Sequence, residues 1–209
     1  MSNIIIVGAG GFGLEVAAYA KDLLHASATG HTIKGFLDNT KPIGATHAGL
    51  PILGSGDGAI DIECLYVVAV GAPEARKTLA EKLTSNGARF ISIIHPSSYF
   101  ADSAKIGIGT VAAPFTFVGP EARVGDHCLL NIYASAGHES SMGDYCVLSP
   151  YATIHGSAVL ERGVFMGSHA CVTGKIQVGS SAKIAAGSVV YQDIPAGAQA
   201  IGNPAAHRS

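Results

Sequence analysis

From Ile94 to Val190 the chain returns to an apolar side chain at every sixth residue, through Phe100, Ile106, Ala112 and Val118 and onward for seventeen positions without a break. With 48% of the chain apolar, a run of that length arises by chance on the order of one time in 10⁵. An α-helical array is excluded, because a period of about 3.6 carries every sixth residue round to all faces of a helix. What fits is a short strand followed by a corner. If each corner turns the chain through a third of a circle, three hexads close one triangular coil with the aliphatic residue at its centre. Such coils stack and hydrogen-bond along a common axis. Each is too thin to stand alone, so about five of them, from Phe100 to Val190, support one another. The residue after the aliphatic is often glycine, as at Gly107, Gly119, Gly125, Gly137 and Gly143. The residue two before it is nearly always small, as at Ala122, Cys128, Ala134 and Cys146, which suits a tight corner.

Residues 1–94 follow another rhythm. Ile4 to Val7 is a β-branched strand that ends in a glycine turn, Gly8 to Gly13, and Leu14 to Lys21 then has helical spacing. Gly8, Gly10 and Gly13 have the spacing that lets a backbone approach a phosphate at the positive end of a helix. A second strand, Ile33 to Leu37, ends in Asp38, whose carboxylate can hold a ribose or base edge or cap its own turn. Leu65 to Val70 reads as a third strand, Pro73 to Leu83 as a helix and Phe90 to Ile94 as a fourth strand. This is an α/β Rossmann-like half-domain with room for one nucleotide, followed over residues 95–209 by an all-β parallel β-helix.

Charged residues are only 13% of the chain, against roughly 25% in an average soluble protein, which leaves broad faces free to be buried. A net charge of −2 with no Lys/Arg cluster excludes nucleic acid as a partner. No apolar run reaches the ~18 residues that cross a bilayer, and Met1-Ser2-Asn3 has no basic leader character, so a cytoplasmic protein without a membrane partner is expected. The four cysteines lack CxxC spacing and read as small buried apolar residues. The nine histidines contain no H-x₄-H pair, so no metal is expected.

The glycine turn with Glu15, Phe36-Leu37-Asp38, Val70-Gly71, His95-Pro96, Asn131, Gly137-His138-Glu139, Asp193-Ile194-Pro195 and Gly202-Asn203-Pro204-Ala205 run in order along the whole chain. Together they resemble the sialic acid O-acetyltransferase and bacterial UDP-4-amino-sugar N-acetyltransferase family. The resemblance implies a left-handed β-helix, a homotrimer with sites in the clefts between protomers, acetyl-CoA as donor and a nucleotide sugar as acceptor, in surface polysaccharide or glycan synthesis. It implies His138 as general base with Glu139 orienting it, and Asn131 near the acceptor. It also implies Gly156, Gly167, Ser168, Ile184, Ala185 and Ala186 along the acetyl-CoA groove, with Arg208 toward a phosphate. The acceptor would lie against Gly10, Gly11, Phe12, Gly13, Asp38 and Gly71. Where this chain has Phe12 the family commonly has His, a difference at the nucleotide-sugar end of the site. His138 follows the Gly137 corner, so its ring should leave the apolar core. Glu139 is harder to place, since adjacent strand residues point to opposite faces. The residues leave open a sugar O-acetyltransferase and a non-catalytic trimeric partner of a sugar-biosynthetic enzyme.

Overall fold

The structure, a computed structural model, describes residues 2–27, 29–56 and 60–208. The N-terminal module has β1 (Asn3–Val7), α1 (Gly11–Ala26), β2 (Thr32–Leu37), β3 (Thr46–His47), β4 (Leu50–Gly54), β5 (Leu65–Val68), α2 (Pro73–Ser85) and β6 (Arg89–Phe90). Its sheet runs β3-β4-β2-β1-β5-β6, parallel except for the β3–β4 hairpin at one edge. That hairpin was not anticipated, and α1 is longer than the expected Leu14 to Lys21.

The repeat forms a three-sided prism of two-residue strands. The first wall stacks Ile93–Ile94, Val111–Ala112, Leu129–Leu130, Val147–Leu148, Phe165–Met166, Lys183–Ile184 and Gln199–Gly202 in parallel, and Ala205–Arg208 closes it antiparallel. The second wall runs from Tyr99–Phe100 to Val189–Val190 and the third from Lys105–Ile106 to Gln177–Val178. The central column is buried from Ala112 to Val190, with the small residues Ala122, Cys128, Ala134, Cys146, Ala152 and Ala158 filling the corners. Ile106, in the first coil, is 38% exposed because no coil covers it from below. The corner glycines are explained by the stacking: a Cβ on Gly119 would stand 2.8 Å from His138 N, and one on Gly137 2.8 Å from Gly156 N, so neither coil could close on the next.

The stretch expected to be one strand, Phe90 to Ile94, is divided. Arg89–Phe90 pairs with β5 in the N-terminal sheet, whereas Ile93–Ile94 pairs with Val111–Ala112 and is the first rung of the prism. Two modules therefore meet within four residues. α1 lies between them: Val16, Ala17 and Ala20 share one apolar cluster with Phe36, Ile52 and Val67 of the sheet and with Val111, Leu129 and Val147 of the first wall. A bond from His95 Nε2 to Asp22 at 3.2 Å ties the helix to the first coil. α2 packs on the opposite face of the sheet through Ala80 and Leu83. Cys64, Cys128 and Cys146 are buried as expected, but Cys171 is only half-buried, because it is the outward residue of its strand. No helix among the described residues is long and apolar enough to cross a membrane.

Candidate active site

Corner residues recur every six positions in the left-handed backbone region, from Phe115 to Ser181. Glu139 is one of them, with φ 57°. A corner in that conformation does not alternate side chains as a strand does, so strand alternation does not keep Glu139 from His138. The carboxylate turns back, and His138 Nδ1 donates to its Oε2 at 3.0 Å. Both side chains are open to solvent, 66% and 62% exposed. A carboxylate only accepts, so Nδ1 carries a proton, and in the neutral ring Nε2 is the nitrogen with the lone pair.

At the carboxyl ends of β1 and β2 lies a small cavity of about 200 Å³, lined by Gly8, Asp38, Asn39, Thr40 and Gly56. Asp38 braces its mouth: Oδ2 accepts from Ala9 N at 2.7 Å, and Oδ1 from Thr40 N, Thr40 Oγ1 and Lys41 N at 2.8, 2.6 and 3.1 Å. Burial alone would raise this carboxyl, yet the bonds from Thr40, Ala9 and Lys41 hold it down at about 2. Of the turn glycines, Gly10 and Gly11 have open space where a side chain would be, whereas a Cβ on Gly13 would overlap the Gly8 carbonyl. Gly13 serves helix-to-strand packing.

A second cavity, about 340 Å³, brings Phe12, Gly71 and Asn131 together between the N-terminal module and the first wall, with Glu15, Leu129, Val147, Ser149 and Phe165. Asn131 Oδ1 accepts from Ile132 N at 2.7 Å, which leaves its amide N–H groups for other partners. Near Phe12 lies Arg76, fully buried, a residue that the sequence analysis does not single out. Its Nε donates to Val70 O at 2.9 Å, and its guanidinium stands 5.9 Å from the centre of the Phe12 ring. Burial with no carboxylate partner among its described bonds pushes it down to about 10.

A third cavity, about 670 Å³, lies further along the first wall and is lined by Phe165, Lys183, Ile184, Ala185, Gln199, Ile201 and Arg208. It brings together Ile184, Ala185 and Arg208 of the expected donor groove. Gly167 belongs to the adjacent rung, where a Cβ would stand 2.9 Å from Ala186 Cα. Ser168 meets the same corner, its carbonyl accepting from Gly187 N at 2.9 Å. Gly156 is elsewhere, directly against His138. Phe165 lines both this cavity and the previous one. Its sequence signal was available, since the first-wall strands are apolar at both positions as far as Phe165–Met166.

His138 and Glu139 occupy the corner between the second and third walls. On a triangular prism that edge is opposite the first wall, where both larger cavities lie. A single chain therefore does not bring His138 to these cavities.

A prism of hexapeptide coils with an α/β half-domain on one wall is the architecture of the left-handed β-helix acetyltransferases. Residues 3–83 match the family described as the PglD N-terminal domain. In fold and in this domain the chain is similar to hexapeptide-repeat sugar acetyltransferases. Over 114 residues it is 34% identical to the UDP-N-acetylbacillosamine N-acetyltransferase of Bacillus subtilis, a match spanning 53% of this chain and about half (51%) of that protein's length. The acetyltransferase domain of PglB from Neisseria gonorrhoeae, solved in complex with acetyl coenzyme A, superposes with a TM-score of 0.89 at 29% identity over 98% of both chains. A perosamine N-acetyltransferase from Caulobacter crescentus, in complex with CoA and GDP-perosamine, shares the fold with a TM-score of 0.91 at 23% identity, over 100% of this chain and 98% of that one.

Proposed function

We propose that the chain is an acetyl-CoA-dependent acetyltransferase acting on the amino group of a nucleotide-linked 4-amino-deoxy sugar, in surface polysaccharide or glycan synthesis, and that it works as a cytoplasmic homotrimer. The observation that carries this reading is the solvent-facing imidazole of His138, its Nδ1 tied to Glu139 and its Nε2 free to take a proton. The relatives support the substrate class, since one is described as acting on an N-acetylated bacillosamine nucleotide and others are described in complex with acetyl-CoA, CoA and GDP-perosamine.

The nucleotide would sit at the cavity beside Asp38, its phosphates toward Gly10 and Gly11 at the amino end of α1. The sugar would reach the cavity of Phe12, Gly71 and Asn131. Acetyl-CoA would lie along the first wall against Ile184, Ala185 and Gly167, with Lys183 and Arg208 toward its phosphates. The sugar nitrogen attacks the thioester carbonyl, Nε2 of His138 takes the proton released from that nitrogen, and the tetrahedral intermediate collapses to amide and CoA thiolate, which is then protonated. Because the base stands on the edge opposite the cavities, the imidazole would come from a neighbouring protomer.

Release of CoA measured with a panel of UDP- and other nucleotide 4-amino sugars tests the reading. Wild type should turn over with at least one of them, and His138→Ala should lose about 10²-fold or more of kcat with its oligomeric state intact. Full turnover by that variant would remove the base, and turnover with a sugar hydroxyl alone would make the protein an O-acetyltransferase.

A further inference from the structure

The proposed base is held by more than its neighbour in sequence. The corner of the next coil, eighteen residues on, sets Gly156 and Ser157 against His138 and Glu139. A Cβ on Gly156 would stand 2.9 Å from His138 Cδ2 and closer still to Nε2 and Cε1, so the imidazole occupies the space any side chain at 156 would need. Ser157 donates its backbone N–H to His138 O at 2.9 Å, and its Oγ lies 3.5 Å from Glu139 Oε2, the same oxygen that His138 Nδ1 meets at 3.0 Å.

Ser157 holds this position at φ 60°, where a side chain is strained and glycine is at ease. Equivalent corners accept either kind of residue, glycine at Gly109, Gly163 and Gly187 and larger side chains at positions such as Tyr151 and His169. What sets Ser157 apart is where its hydroxyl lies, within 3.5 Å of the oxygen that meets the imidazole.

We propose that Gly156 and Ser157 form the seat of the base, Gly156 by leaving room for the ring and Ser157 as a positioning residue acting through Glu139; this rests on His138 being the base. Ser157→Gly relaxes the corner, so a purely structural serine would give equal or higher thermal stability and unchanged turnover. The seat requires kcat to fall about 3- to 10-fold with stability kept and the KM for acetyl-CoA changed less than about two-fold. It also requires that loss to disappear in a Glu139→Ala background, where the serine has nothing to hold. Ser157→Asn, which restores a donor in a residue tolerant of positive φ, should recover part of the rate. Gly156→Ala should lower kcat by about 100-fold or more by displacing the imidazole; if it does not fold, the serine series decides. Full kcat in Ser157→Gly, or an equal loss with and without Glu139, overturns the seat. Should His138→Ala itself keep turnover, the base reading fails first, and the two failures are told apart.

Discussion

At the scale of single residues, Asp38 is the carboxylate whose task the bonds define most fully. Each oxygen accepts from a backbone N–H, and one accepts a hydroxyl as well, so the group shapes the glycine turn through Ala9 before it meets any ligand. Its folded value of about 2 lies below the ~3.9 of an unfolded chain, so the charged form is favoured by folding. The stabilisation is present above about pH 4 and drains away as pH falls toward 2. Asp38→Asn should therefore lower unfolding stability by about 1–3 kcal/mol at pH 7, and denaturant titrations should show the gap from wild type closing over that acid range. A gap independent of pH would mean that shape, not charge, holds the turn.

At the scale of elements, the inner column of the prism was legible because a single period forces it: no other local structure puts every sixth side chain on one line. The docking of α1 was legible in principle and went unread. The outward positions Val111, Leu129 and Val147 are apolar, unlike Lys105, Arg123 and Gln177 on the third wall, and that asymmetry marks the wall a helix covers. What the period hides is the corner. Strand alternation left Glu139 hard to place, yet it sits in a left-handed turn where alternation lapses, and Arg76 was hidden because a helical cation reads as solvated until the partner surface is known. The division of Phe90 to Ile94 was unreadable for a like reason, both halves being apolar and β-prone while only pairing tells them apart. Leu129→Ala, which trims the outer face under α1, should cost about 2–5 kcal/mol and raise amide exchange in α1 first, whereas Leu148→Ala in the inner column should cost as much while loosening the prism. Equal exchange patterns in the two variants would mean that the helix is not anchored by this wall.

At the scale of the whole molecule, the proposed base on one edge and the cavities on the wall opposite can serve one substrate only where a second copy supplies the edge. The edge between the first and second walls has apolar surface for one to cover: Phe115, Tyr133, Tyr151 and His169 stack ring on ring at 5.0, 4.9 and 4.7 Å, and Phe115, Tyr133 and Tyr151 are 55%, 46% and 45% exposed. If cavities and base come from different protomers, two inactive variants should complement. His138→Ala removes the base. Gly71→Leu adds a side chain at the lining of the proposed acceptor cavity, where a Cβ meets nothing within 4 Å. Each alone should be inactive, but co-assembled at equal amounts, a random cyclic trimer joins an intact cavity to an intact base often enough to restore about a quarter of wild-type turnover. A site built within one chain would carry a lesion in every copy and restore none. Recovery that falls when one variant is supplied in large excess would trace the activity to mixed assemblies, because only an interface between unlike subunits joins the two intact halves.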